Sequence, residues 1–270
     1  MSELVPSPPS PRLRGVVAEY RGFRDDLPAP VVLREPPSAR VPVIVDLGAG
    51  WQVRAPAGGY RLQHLHAFVA GMHDAFALVE AAGPTLGVQV DLTPVGARRL
   101  LGVPMHELAN RVVPLDDLLG PEAAALRERL GEARAWRERF AIIDAALDRR
   151  LANAAGTSPG VGWAWAQLEA GAGRVSIGAL AAELGWSRKR LVARFRDDVG
   201  LTPKTAARVL RFQALLARLR SRPTPGWAEL ALACGYFDQS HLVRDVRRFS
   251  GRTPTELLRD VVGHQPSLTA

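Results

Sequence analysis

The chain of 270 residues is 47% hydrophobic and 23% charged, a globular composition at one-to-two-domain length that excludes wholesale disorder. No stretch approaches the roughly 18 apolar residues of a membrane span. Met1–Pro11, rich in proline, holds no apolar run that could act as a signal peptide. The single cysteine, Cys234, excludes an internal disulfide framework and a cysteine-cluster zinc site. The chain therefore reads as cytoplasmic, with no membrane partner, no metal and no cofactor.

The net charge of +8 is unevenly divided. Residues 171–270 hold 17 Lys+Arg against 8 Asp+Glu, whereas residues 1–170 hold 18 against 19. All of the positive excess thus lies in the last hundred residues, the pattern of a surface that meets a polyanion, usually nucleic acid. Only Lys189 and Lys204 are lysines, so codon bias accounts for part of the arginine content. Such bias would not spare the first 170 residues.

In chain order, residues 1–14 are expected to form a disordered tail. From Val16 come short β-rich runs separated by Pro and Gly, at 16–20, 31–35, 41–47, 51–54, 67–69, 76–80 and 87–92. This spacing predicts a small antiparallel sheet or barrel. Thr93-Pro94 is a cap plus first-turn proline opening a helix over 95–101, and Pro121 opens another. Phe140, Ile143, Ala146 and Leu147 predict a helix over about 136–151. The small, flexible composition of 152–160 places the linker there.

Beyond it the chain repeats itself. Ile177, Leu180, Ala181 and Leu184 stand at i, i+3, i+4 and i+7 and are followed by Gly185. Trp227, Leu230, Ala231 and Cys234 do the same before Gly235. Each set is a short amphipathic helix stopped by a glycine free to turn left-handed. A second helix follows in each copy, with Leu191, Phe195 and Val199 or Leu242, Val246 and Phe249 on its apolar side. Each copy then runs through glycine, Gly200 or Gly251, into Thr-Pro, and Thr253 with Glu256 makes a capping box. Helix, glycine turn, helix is the helix-turn-helix pattern, here present twice. A long helix from Pro203 to about Arg220 joins the copies.

These residues resemble a known family. The stretches GALAAELGWSRKRLVARFRDDVGLTPKTAARVLRFQALL and ELALACGYFDQSHLVRDVRRFSGRTPTEL are similar to the tandem helix-turn-helix domain of the AraC/XylS transcription regulators, over about residues 161–262. ALACGYFDQSHLVR with the following G-x-TP is the hallmark segment. The resemblance implies a seven-helix DNA-binding domain, promoter regulation, contact with RNA polymerase and, in many members, an N-terminal half that senses a ligand or dimerises. Residues 68–151 also resemble the N-terminal halves of some of these regulators. The expected fold is α+β overall: a mixed β/α sensor-like domain over 15–151, then an all-α tandem helix-turn-helix domain over 161–265.

Helical geometry selects the groove-facing side. With Leu191 and Phe195 buried, Lys189, Ala193 and Arg196 point the other way, with Arg190 beside them. With Leu242 and Val246 buried, Ser240, Arg244 and Arg247 point outward, flanked by His241 and Arg248. The resemblance adds Gln239 and Val192. The candidate DNA-contacting set is therefore Arg188, Lys189, Arg190, Val192 and Arg196 in the first copy, and Gln239, Ser240, His241, Arg244 and Arg247 in the second. Lysine and arginine reach guanine acceptors, glutamine suits adenine, and other basic groups hold phosphates. An ordinary solvated basic face is the plainer reading. Ala193 departs from the family, which commonly has arginine there, so the second helix is expected to dominate base reading.

Other chemistry is sparse. Cys234 lies at a buried helix position and reads as packing rather than as a thiol sensor or methyl acceptor. Gly58, His64 and His66 resemble part of a cupin metal motif, but Ala70 and Gly71 stand where its glutamate should follow, and His73 and Asp74 fall in an expected turn. Trp163 and Trp165 are expected to pack the first helix of the C-terminal domain or seal it to the N-terminal half. The chain thus reads as a regulator, not an enzyme, with double-stranded DNA and a small-molecule effector as partners and a homodimer as one arrangement. A cupin-like metal enzyme, a methyl-transfer repair protein, or a DNA-binding protein whose N-terminal half only dimerises stand as alternatives.

Overall fold

The computed structural model describes residues 3–54, 63–221 and 226–263. The N-terminal half is built on one antiparallel sheet of β1 (Glu3–Ser7), β2 (Val17–Glu35), β3 (Val41–Asp46), β4 (Trp51–Arg54), β5 (Gln63–Leu65), β6 (Ala67–Ala70), β7 (Ala77–Leu92) and β8 (Val112–Pro114). The spatial order is β1-β2-β7-β3-β6-β8, with β4 pairing both β7 and β5.

Two features differ from the sequence expectation. In place of a disordered tail, β1 pairs with Tyr20–Arg24 of β2. Its Pro6 is tolerated because an edge strand has one row of backbone groups that needs no partner. Val5 and Leu13 pack into the core, and the Trp136 indole donates to Glu3 Oε1 at 3.0 Å. The runs 16–20 and 31–35 are likewise the two ends of one 19-residue strand. A register shift between Leu27 and Val31 absorbs Pro28 and Pro30, as a bulge does. The runs 76–80 and 87–92 join into β7 in the same way.

The pleat gives the sheet two different faces. Val41 and Val45 of β3, with Val88, Val90 and Leu92 of β7, enter the main core with Leu100, Leu101, Leu115 and Ile143. Those partners come from α1 (Pro94–Leu101), α2 (Leu115–Leu119) and α4 (Trp136–Ala152), with α3 (Pro121–Glu132) between the last two. As the Thr-Pro pair predicts, Thr93 Oγ1 accepts from Gly96 N at 3.0 Å and Pro94 opens α1. The alternate positions point the other way. Phe23, Ile44, Trp51, Val53, Leu65, Phe68 and Ala81 form a second, smaller cluster.

The chain leaves α4 at Ala152 and enters an all-helical half. Its elements are α5 (Pro159–Ala170), α6 (Ile177–Glu183), α7 (Arg188–Val199), α8 (Pro203–Ser221), α9 (Trp227–Ala233), α10 (Gln239–Ser250) and α11 (Pro254–Gly263). Among the described residues the fold is therefore α+β, an antiparallel β-rich half followed by seven helices. Trp165 is buried with its ring 6.3 Å from that of Phe195, so α5 packs on α7. Phe212 of α8 meets Phe249 of α10 at 5.3 Å.

A buried ion pair reinforces that last contact. Asp245 on α10 is 1% exposed and accepts from Arg208 of α8, from Nη2 at 2.6 Å and Nε at 3.1 Å. The same guanidinium lies over the Phe249 ring, 5.3 Å from its centroid. Asp245→Ala should cost about 3 kcal/mol in urea unfolding, because it leaves Arg208 half-buried without its counter-charge. Pairing Asp245→Leu with Arg208→Met should recover most of that loss. A single variant within about 0.5 kcal/mol of the parent would show that the pair holds nothing.

Candidate nucleic-acid interface and interdomain cavity

Both helix-turn-helix units are assembled by the same local rules. The turns pass through left-handed glycines, Gly185 at φ 63° and Gly235 at φ 78°. The second helices are then capped by side chains. Ser187 Oγ accepts from Arg190 N at 3.2 Å, and Asp238 Oδ1 accepts from His241 N at 2.7 Å. Leu191, Phe195 and Val199 are fully buried on one side of α7, as are Leu242, Val246 and Phe249 on α10.

The opposite sides face outward. Arg188, Lys189, Arg190 and Arg196 are exposed on α7, as are Gln239, Ser240, Arg244 and Arg247 on α10. Val192 and His241 are half-buried, and Ala193 is exposed. The Arg190 guanidinium stacks 4.8 Å from the Trp186 ring, and the His241 ring stands edge-on to Tyr236 at 5.4 Å. Two exposed basic stripes, each at the start of a capped helix, can contact phosphates and base edges.

Arg248 departs from the sequence reading. It flanks the outward set on α10, yet its Nη2 lies 2.8 Å from Asp74 in the N-terminal half. Nearby, Gly251 takes a φ of 65° against the Phe76 ring. The end of α7 is held similarly. His106 Nδ1 lies 3.2 Å from Asp197, and Arg98 Nε lies 3.7 Å from Asp198, which also accepts from Ser158 N at 3.1 Å. Burial raises the Asp198 pKa against these partners. Both second helices are therefore tethered at their far ends to the N-terminal half.

Between the halves lies a cavity of about 300 Å³. Its apolar wall is the second face of the sheet, with Phe23, Ile44, Trp51, Val53, Phe68 and Val79. Gln213, Leu216 and Ala217 of α8 complete the lining. Gln213 Nε2 donates to Ser38 Oγ at 3.4 Å, and Arg40 pairs with Glu169, so the junction is tied beside the cavity. One part of the wall is polar: Arg21 is bonded to Asp91, and Gln89 Nε2 donates to Asp91 at 2.8 Å. Sequence reasoning missed this site. The segment Val88–Leu92 alternates valine with Gln89 and Asp91, which reads as a solvent face, but both polar residues are buried.

The remaining candidates have plain locations. Cys234 is 2% exposed at the end of α9, and burial pushes its thiol pKa up. The His64 and His66 rings lie 5.1 Å apart, and His64 Nε2 bonds the Ala49 carbonyl at 2.7 Å. Gly58 lies outside the described residues, among which no group of three metal-ligating side chains occurs. No helix among them is long and apolar enough to cross a membrane.

The geometry defines a tandem helix-turn-helix DNA-binding module joined to a β-rich half with an interdomain cavity. Residues 180–260 match a family described as a helix-turn-helix domain, and this part of the chain is an AraC-type DNA-binding domain. Residues 6–114 match a domain of unknown function, DUF6597. No curated protein matches the chain significantly. Among solved structures, ToxT from Vibrio cholerae is 8% identical, with 91% of this chain and 98% of that chain covered at a TM-score of 0.49. An unsaturated fatty acid-bound form of ToxT is 11% identical, covering 92% of this chain and 98% of that one at 0.48. The C-terminal domain of AraT, a response regulator from Geobacillus stearothermophilus, is 19% identical and covers 43% of this chain and 94% of its own at 0.37.

The two stripes are expected to read DNA unequally, because Ala193 stands where the repeat places Arg244. Arg244→Ala should cost about 1–3 kcal/mol and relax preference at one or two base pairs. Lys189→Ala should cost less. Selection of binding sites from randomised duplexes measures both, and an unchanged motif for Arg244→Ala would refute its role as a base reader.

Proposed function

We propose that the chain is a one-component, sequence-specific transcription regulator whose hold on DNA answers to a small molecule in the interdomain cavity. The carrying observation is that α8 serves both sites. It joins the two DNA-reading units and supplies Gln213, Leu216 and Ala217 to the cavity wall. In this reading Arg188, Lys189, Arg190, Val192 and Arg196 meet one major-groove face. Gln239, Ser240, His241, Arg244 and Arg247 meet the next, about one helical turn away. The charge surplus of residues 171–270 supplies affinity through phosphate contacts and makes binding weaken as salt rises.

The function is occupancy of a promoter, with no chemical step. A molecule that fits the cavity better in one placement of α8 shifts the population towards that placement, and the DNA affinity with it. RNA polymerase contact at the bound promoter follows from the resemblance of the C-terminal domain. A second copy of the chain, bound beside the first, is the arrangement that would lengthen the recognised site.

Genome-wide mapping of bound sites tests the reading. The parent chain should occupy discrete positions near promoters whose transcripts change when it is removed. A Lys189→Ala, Arg244→Ala double variant should lose at least tenfold in occupancy there. Uniform, sequence-independent coverage by the parent would overturn the assignment as a specific regulator.

A further inference from the structure

The two helix-turn-helix units close their turns alike and then differ by one residue. In the first, Gly185 N and Trp186 N donate to the Ala182 and Ala181 carbonyls at 3.0 and 2.8 Å. In the second, Gly235 N and Tyr236 N donate to Leu232 and Ala231 at 3.0 and 2.9 Å. Trp186 is followed directly by the cap of α7, Ser187, whereas Tyr236 is followed by Phe237 and only then by the cap of α10, Asp238. Phe237 is thus an added residue of the second turn, with no counterpart in the first. It is 87% exposed, the most exposed large apolar side chain among the described residues, while its neighbour Tyr236 is buried at 3%. Asp238 is extended at φ −154° and ψ 174°, and its bond to His241 N at 2.7 Å fixes the backbone just where Phe237 leaves it. Phe237, Asp238, Gln239 and Ser240 form one exposed run at the start of α10.

A singly exposed apolar side chain is ordinary on a protein surface. This one stands at the end of a helix that, in a helix-turn-helix, meets base edges with its first residues. Two peptide steps separate it from Gln239, so their Cα atoms are at most about 7.6 Å apart. That is roughly two steps of about 3.4 Å along a DNA strand. The chemistry then narrows what the ring can meet. A phenyl group carries no donor or acceptor, so it adds nothing to a phosphate oxygen or to the hydrogen-bonding groups of a base. The one apolar group on the base edges of the major groove is the C5-methyl of thymine. Packing the ring on that methyl removes apolar surface of both from water.

We infer that Phe237 is a specificity-determining residue of the second reading unit, packing on the methyl group of a thymine next to the base that Gln239 meets. The inference rests on the regulator reading and adds to it a base preference that hydrogen bonding alone does not supply. It also gives the second unit an apolar reader that the first lacks, since Trp186 is only half-buried beneath the Arg190 guanidinium and the turn ends there.

Replacing thymine by uracil deletes that methyl group and leaves every hydrogen-bonding group of the base in place, so it isolates the contact. A duplex selected by the full chain from randomised sequences would be rebuilt with uracil at each thymine in turn, and the affinity of each measured. The parent should lose three- to fivefold at one thymine, or at two neighbouring ones, which is the worth of one buried methyl group. Phe237→Ser should bind the thymine and uracil forms of that duplex within twofold of each other, and Phe237→Leu, which keeps an apolar side chain, should retain part of the difference. Selection with Phe237→Ser should return the parent's motif with the thymine preference lost at that position alone. Equal uracil losses in the parent and in Phe237→Ser, or a Phe237→Ser that weakens all sequences alike with the motif unchanged, would overturn the inference and leave the regulator reading standing. A parent that selects no motif at all would overturn both.

Discussion

A single helix constrains both halves of this molecule. The 19 residues of α8 span about 28 Å at the α-helical rise. Along that length the helix faces three partners. Val209, Phe212, Leu215 and Leu219 are buried in the core of the reading domain. Arg208 holds α10 through Asp245, and Gln213, Leu216 and Ala217 close the cavity. Packed interiors resist gradual deformation, so a helix packed against three partners shifts as a unit or stays in place. In the proposed mechanism, a change at the cavity wall is therefore a change in the placement of the second reading helix.

The sheet prepares that constraint by using its two faces for different ends. Valine and leucine on one face pack against α1, α2 and α4 and supply the stability. The other face buries Arg21, Asp91 and Gln89 among aromatic side chains. An apolar trio of similar size would pack there at no greater cost, since a buried ion pair rarely adds stability over well-packed hydrocarbon. The polar group lies on the cavity face, where the ligand binding proposed above would give it a role. Tethers from Asp74 to Arg248 and from His106 to Asp197 carry the N-terminal half to the ends of α10 and α7.

The helix-turn-helix domain was largely legible in the sequence because its determinants are local. Gly185 and Gly235, the caps Ser187 and Asp238, and the apolar spacing of Leu191 and Phe195 act within a few residues of one another. The repeat displays them twice. The N-terminal half was less legible because its determinants are distant in sequence. Pro28 and Pro30 look like strand breaks, yet a bulge against β7 carries the strand through them. Pro6 looks incompatible with a strand until β1 proves to be an edge. Gln89 and Asp91 look solvated because period-two alternation shows that a face is polar, not whether α8 will come to cover it. The same holds for Arg248, whose helical position faces outward but whose partner, Asp74, is 174 residues away.

The coupling of α7 and α10 to the cavity through α8, which the proposed function requires, can be tested before any ligand is known. Hydrogen exchange would be measured on the full chain, free and bound to a selected duplex. Bound DNA should alter protection not only in α7 and α10 but also, by severalfold, in the second half of α8 and in the cavity-lining segments 36–42 and 70–79. Protection changes confined to α7, α10 and their turns, with the cavity wall exchanging as in the free protein, would contradict it.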